Sequence, residues 1–454
     1  MRISLTLTWL VAALVLASCD TGIDTSKSAG EAVAVDAPMS EMGGGIEPAE
    51  PAPALERRIA PPTGVSADII VAPSPVVIVE ESAGSFAPRA PSRTRARVLT
   101  AGDIDDNLNL AAFSRYVNRA RGQVNLPSAN FSRPMRAQLT GPDGKPAPGL
   151  RVTLSRPGAS EPFYDGFSGV DGRIVVFPAL HGAGGIRTAD LKVFPAGQDQ
   201  VFSTRVNSAA RIVALPFAGG WQPDFLDLAF VIDTTGSMAD ELDWLTKELA
   251  SIVNQAKRTA PGVNIRYALI AYRDRGDQYV VRNFGFTGSQ SQMRTWLRAQ
   301  NAAGGGDYPE AAAQALQAAA GLSWRRGRGE RLVFHIADAP THDADARAYL
   351  NAARSLAQKG VQIFGLGASG VAAESEYLMR QAAAGSNGRY LFLTDDSGVG
   401  YSHAEPTISC YQVTKLNGLM VRVLASELSG HRVEAGAGKV IRSVGSYQGG
   451  ICKN

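Results

Sequence analysis

From Asp224 to Asp396 the sequence alternates short apolar runs with amphipathic ones, and this alternation constrains the fold more than any other feature of the chain. The segment "LDLAFVID", ending at Asp233, is apolar on both faces, as a strand inside a parallel sheet must be. Behind it Leu242, Leu245, Leu249, Ile252 and Val253 recur at the spacing of one helical stripe. The strand candidates "IRYALIAYRD", "RLVFHIAD", "VQIFGLGA" and "RYLFLTDD" follow. Between them lie helical stretches opening near Ser289 or Ser291, spanning Tyr308 to Leu322, beginning at Asp343, and covering Glu374 to Ala384. Strand–helix–strand repetition implies a parallel sheet covered on both sides, a doubly wound α/β domain over 223–398.

Upstream the pattern differs. Between Met135 and Phe217, "MRAQLT", "LRVTLSR", "GRIVVFPA", "LKVFPAG" and "RIVALPF" are short strand candidates separated by turns such as "GPDGKPAPG". They predict a small all-β, sandwich-like module over 135–217, similar to the carboxypeptidase-regulatory or transthyretin-like modules of surface proteins. A helical or turn segment is expected over 99–134. Its acidic cluster, Asp103, Asp105, Asp106, Asn107 and Asn109, fails the calcium-loop test, having neither Gly at the sixth position nor Glu at the twelfth. It reads as a polar turn opening a helix.

Residues 1–18 carry Arg2 and an apolar run from Ile3 to Leu16, the length of a signal-peptide core and short for a membrane span. Leu16-Ala17-Ser18-Cys19 resembles the bacterial lipobox, which implies lipidation of Cys19, membrane attachment through that lipid, and a lipoprotein facing the periplasm. Residues 19–98, rich in Ala, Pro, Glu, Gly and Ser, read as a disordered tether. Of three cysteines, Cys410 and Cys452 then remain, either bridged across the 399–454 extension or free. That extension reads as a strand and a helix with Leu419, Val423 and Leu424 on its apolar side, packing on either neighbouring domain. The net charge of +3, without a basic block interleaved with aromatics, argues against nucleic acid as a partner.

Ligands of such sheets bind at the carboxyl ends of the strands. Asp233 ends the first strand, with Thr235 and Ser237 following at two-residue spacing; Asp307 lies in "AAGGGDYPE", and Asp338 ends "RLVFHIAD". An all-oxygen set suits a hard cation. Asp233-x-Thr235-x-Ser237 resembles the Asp-x-Ser-x-Ser signature of von Willebrand factor A domains. The resemblance implies a site for Mg²⁺, or Mn²⁺ or Ca²⁺, with Asp338 as the third-loop carboxylate and Asp307 where the family has a threonine. It further implies a non-enzymatic protein-binding role, in which a partner's acidic group completes the metal sphere. A structural module with a stabilising metal and a metal-assisted hydrolase are the rivals. Walker A spacing and the glycine pattern of a nucleophile elbow are both absent from the sequence. "YRDRGD" reads as a charged loop after a strand, and His335, Asp338, His342 and Asp343 lack a zinc-protease helix.

Overall fold

The computed structural model describes residues 98–453 apart from 196–200, 307, 369, 398–404 and 407. The signal peptide, Cys19, the tether and Asp307 therefore lie outside the described residues. Among the described residues no helix is long and apolar enough to cross a membrane.

In chain order, β1 (Thr100–Ile104) and α1 (Leu110–Val124) come first. The module strands are β2 (Met135–Thr140), β3 (Arg151–Ser155), β4 (Pro162–Phe167), β5 (Arg173–Val176), β6 (Thr188–Phe194), β7 (Phe202–Asn207) and β8 (Ile212–Ala214). Then follow β9 (Phe225–Asp233), α2 (Ala239–Lys257), β10 (Asn264–Tyr272), β11 (Val281–Thr287), α3 (Gln290–Arg298) and α4 (Ala312–Ala320). Next are β12 (Gly329–Ala337), α5 (Ala346–Gln358), β13 (Gln362–Gly367), α6 (Ala373–Gly385) and β14 (Tyr390–Thr394). The chain closes with β15 (Tyr411–Lys415), α7 (Leu416–Ser429), β16 (Arg442–Val444), β17 (Tyr447–Gln448) and β18 (Ile451–Cys452).

The main sheet runs β11-β10-β9-β12-β13-β14-β1-β15-β16. Its centre, β10 to β14, is parallel, and β11 is an antiparallel edge. The strand order about β9 reverses direction, as in doubly wound sheets, leaving a crevice at the carboxyl ends of β9 and β12. One face is covered by α2, α3 and α7, the other by α1, α4, α5 and α6. The α2 stripe read from sequence, Leu242 to Val253, is buried there, each side chain contributing about 1.5–3 kcal/mol of transfer free energy.

The segment over 99–134, expected to be only helix and turn, also supplies β1. It pairs antiparallel with β14, Thr100 opposite Thr394, and with β15 on its other side. Local sequence could not show this because the partner strands lie some 290 positions away in the chain. The acidic cluster is neutralised by arginines from three other parts of the chain. Asp106 holds Arg380 of α6 through two hydrogen bonds of 3.0 and 2.7 Å, and Asp105 faces Arg173 at 3.5 Å and Arg432 at 3.2 Å. Burial raises Asp105, but Arg173, Arg432 and Arg389 outweigh it and hold the carboxyl below its ordinary value.

The extension packs against the α/β domain, with Leu419, Val423 and Leu424 of α7 in the core beneath α2. It also meets the β-module, since Trp221 Nε1 donates to Glu427 O at 2.8 Å and Asp171 N to Gly430 O at 2.8 Å. A disulfide joins Cys410 to Cys452 across 42 positions. Asn109 fastens the same corner: its amide nitrogen donates to Gly450 O at 2.7 Å and its oxygen accepts from Cys452 N at 2.9 Å. From loop length, Cys452→Ser is expected to cost up to about 4 kcal/mol. Urea denaturation with and without reductant checks this, and a shift confined to the oxidised wild type is the expected result.

The module is one seven-stranded sheet, order β4-β3-β6-β7-β2-β5, with β8 on β2. Among the described residues only the pair Arg136–Asn207 joins β2 to β7, and the strands of the sheet enclose one apolar core. β4 has only exposed and half-buried side chains and β7 buries only Val206, so neither shows the apolar contrast that marked the other strands in the sequence.

Candidate metal centre

Three loops meet at the carboxyl ends of β9, β10 and β12. Asp233 is fully buried; its Oδ1 accepts from Thr235 N at 2.9 Å and from Thr235 Oγ1 at 2.7 Å. Thr235 Oγ1 lies 3.4 Å from the exposed Ser237 hydroxyl. Thr234 pins the loop to β10, its hydroxyl donating to Tyr272 O at 2.8 Å and lying 2.7 Å from the Tyr279 hydroxyl. Asp233, Thr235 and Ser237 thus share one tight turn opening α2.

The glycine-rich loop is stitched to this turn by Gly236 N to Gly304 O at 3.2 Å and Ala303 N to Thr234 O at 3.1 Å. Gly304 and Gly305 have φ of +82° and +79°, which favours glycine. A Cβ at Gly304 would lie 2.4 Å from the Asp277 carboxylate, and one at Gly305 would lie 3.0 Å from Glu310 Oε1 and 3.2 Å from Thr235 Cβ. Asp277, the acid of the Arg-Gly-Asp tripeptide, turns inward to accept from Gly305 N at 2.9 Å and Asp274 N at 3.2 Å. Its geometry is that of a loop brace.

Glu310 is a site residue that the sequence reading missed. It is buried, its backbone N donates to Pro340 O at 2.8 Å, and it forms a β-bridge with Thr341, so the second loop is sewn to the third. That bridge is also why α4 starts at Ala312 rather than at Tyr308. Asp274, two residues beyond β10, is a second omission; it is buried and 2.6 Å from His342 Nε2. Position was the available signal for both, one following a glycine-rich loop and the other just past a parallel strand.

Asp233 Oδ2, Asp338 Oδ1 and Glu310 Oε2 are all buried without a hydrogen-bond partner among the described residues. Burial, aided by the Asp338 and Asp274 charges, pushes Asp233 up to about 7 against the pull of Thr235 N–H. Glu310 rises to about 9 through burial and then the charges of Asp233, Asp274, Asp277 and Asp338. Burial also raises Asp338, with Ser237 opposing it. The buried Arg273 spends its guanidinium on Thr234 O and Asn301 O, at 3.2 and 2.7 Å. Carboxylates with unused oxygens that raise one another's pKa are the electrostatic condition for taking up a cation, so the residues fit the oxygen-ligated ion that the spacing implies. Among the described residues no group of three or more His, Cys, Asp or Glu by itself closes around an ion; this set mixes carboxylates with hydroxyls.

His335 is not part of this cluster. It is buried between the hydroxyls of Tyr272 and Tyr349, at 3.1 and 3.0 Å, and burial lowers it to about 4. His335 and His342 therefore do not combine into a zinc site.

A family model, described as the von Willebrand factor A domain, matches residues 227–400, the stretch that carries these loops. This stretch is a von Willebrand factor A domain. Of curated relatives, a protein of Acanthamoeba polyphaga mimivirus named as an ariadne-like RING finger protein is 33% identical over 117 residues, 26% of this chain and 11% of that protein. The alpha-protein kinase vwkA of Dictyostelium discoideum is 27% identical over 137 residues, 29% of this chain and 21% of that protein. The chain thus spans only a small part of both. Among solved structures, BatB from Bacteroides thetaiotaomicron is 16% identical, covering 39% of this chain and 91% of that one, with a TM-score of 0.27. The A domain suggests a role in protein interaction or scaffolding.

Proposed function

We propose that the chain is a lipid-anchored envelope protein whose A domain binds a protein partner through a divalent cation, Mg²⁺ or a close substitute. The observation that carries this reading is the trio of buried, unpartnered carboxylate oxygens on Asp233, Asp338 and Glu310. Asp233, Thr235, Ser237 and Asp338 would hold the ion, with Glu310 and Asp307 adding negative charge. Once bound, the ion would supply a Lewis-acidic position for an oxygen donor of the partner, such as an acidic side chain. The protein's own residues set this up: Thr234 and Arg273 fix the first loop, Asp277 shapes the second, and the Glu310–Thr341 bridge holds the third. Tyr308, half exposed at the rim, donates to Asp338 O and Gly370 O at 3.3 Å each and offers an aromatic surface beside the site.

The envelope assignment rests on the apolar run after Arg2 and the lipobox-like Leu16 to Cys19, and the Cys410–Cys452 bridge accords with an oxidising compartment. This reading assigns no catalytic step to the site. Its test is calorimetric titration of Mg²⁺ and Mn²⁺ into the full chain and into Asp233→Ala, followed by capture from envelope extract with and without cation. Saturable binding lost in the variant, with a protein retained only when metal is present, is the expected outcome. Metal binding with no metal-dependent capture would leave the ion a stabilising role alone.

A further inference from the structure

At the opposite ends of the strands from the carboxylates, a cleft of about 730 Å³ lies between the β-module and the A domain, within the size range of ligand sites. The A-domain wall is the loop before β12, the turn after α5 and the segment between α6 and β14. The module wall is β4 and β5, and here consecutive residues line the cleft: Tyr164 to Phe167 on one strand, Arg173 to Val176 on the other. Successive residues of a strand point to opposite faces. A cavity that touches four in a row therefore runs along the strand's edge and not across its face.

β4 and β5 are the two ends of the module's strand order, and among the described residues neither outer edge is paired with another strand. The outer edge of β4 presents backbone N–H and C=O groups, the template on which an extended peptide can be added, whereas at β5 the backbone of Arg173 is already bonded to Gly169 N and Val170 O. The cleft is also basic, lined by seven Arg and Lys side chains against four Asp and Glu. Most of these cations are spent internally; Arg151, for example, pairs with Asp165 at 2.6 Å. Arg326 is exposed and makes no hydrogen bond or ion pair among the described residues. Trp221, Trp324 and Tyr164 add aromatic surface, and the buried amide of Asn107 on the wall has neither its nitrogen nor its oxygen hydrogen-bonded.

We propose that this cleft binds an extended acidic segment of a partner protein, added as a strand along the free edge of β4, with Arg326 meeting its carboxylates. The metal centre takes no part, so the proposal stands or falls independently of the cation. Backbone pairing supplies affinity, alternate side chains reach the aromatic wall, and the guanidinium selects acidic over basic sequences.

The probe is a library of random displayed peptides selected against the full chain in the presence of EDTA. Enrichment of peptides with alternating apolar and acidic residues and no proline is expected. Arg326→Glu should weaken a selected peptide by about tenfold while leaving the melting temperature unchanged, the exposed side chain having no partner to lose. Hydrogen exchange should show new protection on amides of 164–167 when the peptide binds. The proposal is overturned if basic or proline-rich peptides are enriched, if nothing is enriched, if Arg326→Glu binds as tightly, or if protection appears elsewhere. Displacement of the peptide by citrate without any protected edge amide would mean attraction by charge alone and would equally reject the strand.

Discussion

Replacing Arg380 with alanine is expected to lower the unfolding free energy by about 3–5 kcal/mol. The guanidinium and the Asp106 carboxylate are 3% and 4% exposed, so removal of one strands the other in a medium that cannot solvate it. Arg380 also pairs with Glu376 at 2.9 Å and lies 3.7 Å above the Tyr116 ring. The pair joins the turn after β1 to α6, and its loss would loosen the hold of the N-terminal strand on the sheet. A double variant, Asp106→Leu with Arg380→Met, should recover most of the lost stability, because an apolar pair of similar volume needs no solvation. Urea denaturation followed by far-UV circular dichroism measures both. A cost under about 1 kcal/mol for Arg380→Ala would show that water reaches the pair and that burial is not what makes it matter.

The second large effect is expected at the carboxylate cluster, in the dependence of stability on pH and cation. Without metal the folded chain keeps protons on Asp233 up to about pH 7 and on Glu310 up to about pH 9, whereas the unfolded chain releases them near the ordinary carboxylate values of 3.8 and 4.5. Across that window the folded state binds more protons than the unfolded one, so stability falls as pH rises. Mg²⁺ should reverse the trend, because it replaces the protons as the neutralising charge; at a hundredfold excess over its dissociation constant it adds about 2.7 kcal/mol. Asp233→Asn should remove the Mg²⁺ response and lessen the pH response, Glu310 still being raised by burial: the metal-free variant is at least as stable as wild type at pH 8 and gains nothing from Mg²⁺. Thermal melts at pH 5 and pH 8, with EDTA and with Mg²⁺, check this. Equal melting temperatures for wild type in EDTA and in Mg²⁺ at pH 8 would rule the cation out as part of the folded site.

Where the sequence was readable, local periodicity carried the information. The two-sided apolar run before Asp233, the stripe of α2 and the N-cap Ser289, whose hydroxyl accepts from Gln292 N at 3.1 Å, are all features of residues close in the chain. Strands such as β11, at an antiparallel edge with mostly half-buried side chains, have no such contrast and passed unnoticed. The site divides in the same way. Asp233, Thr235 and Ser237 stood out because one turn contains them, whereas Asp274 and Glu310 join the cluster only through loops that fold in from elsewhere.

By itself, then, the sequence determined an α/β alternation, a β-rich module before it, and a carboxylate-hydroxyl turn at a strand end, since each is written in spacings of two to four residues. Tertiary structure alone decided that β1 inserts between β14 and β15, and that arginines from the module, α6 and the C-terminal segment neutralise the acidic turn. It also decided that Glu310 comes within reach of the Asp233 charge, which raises its pKa. The reason is physical: hydrogen bonds between strands and Coulomb interactions between buried charges depend on distance in space, and the partners here stand tens to hundreds of positions apart in the chain.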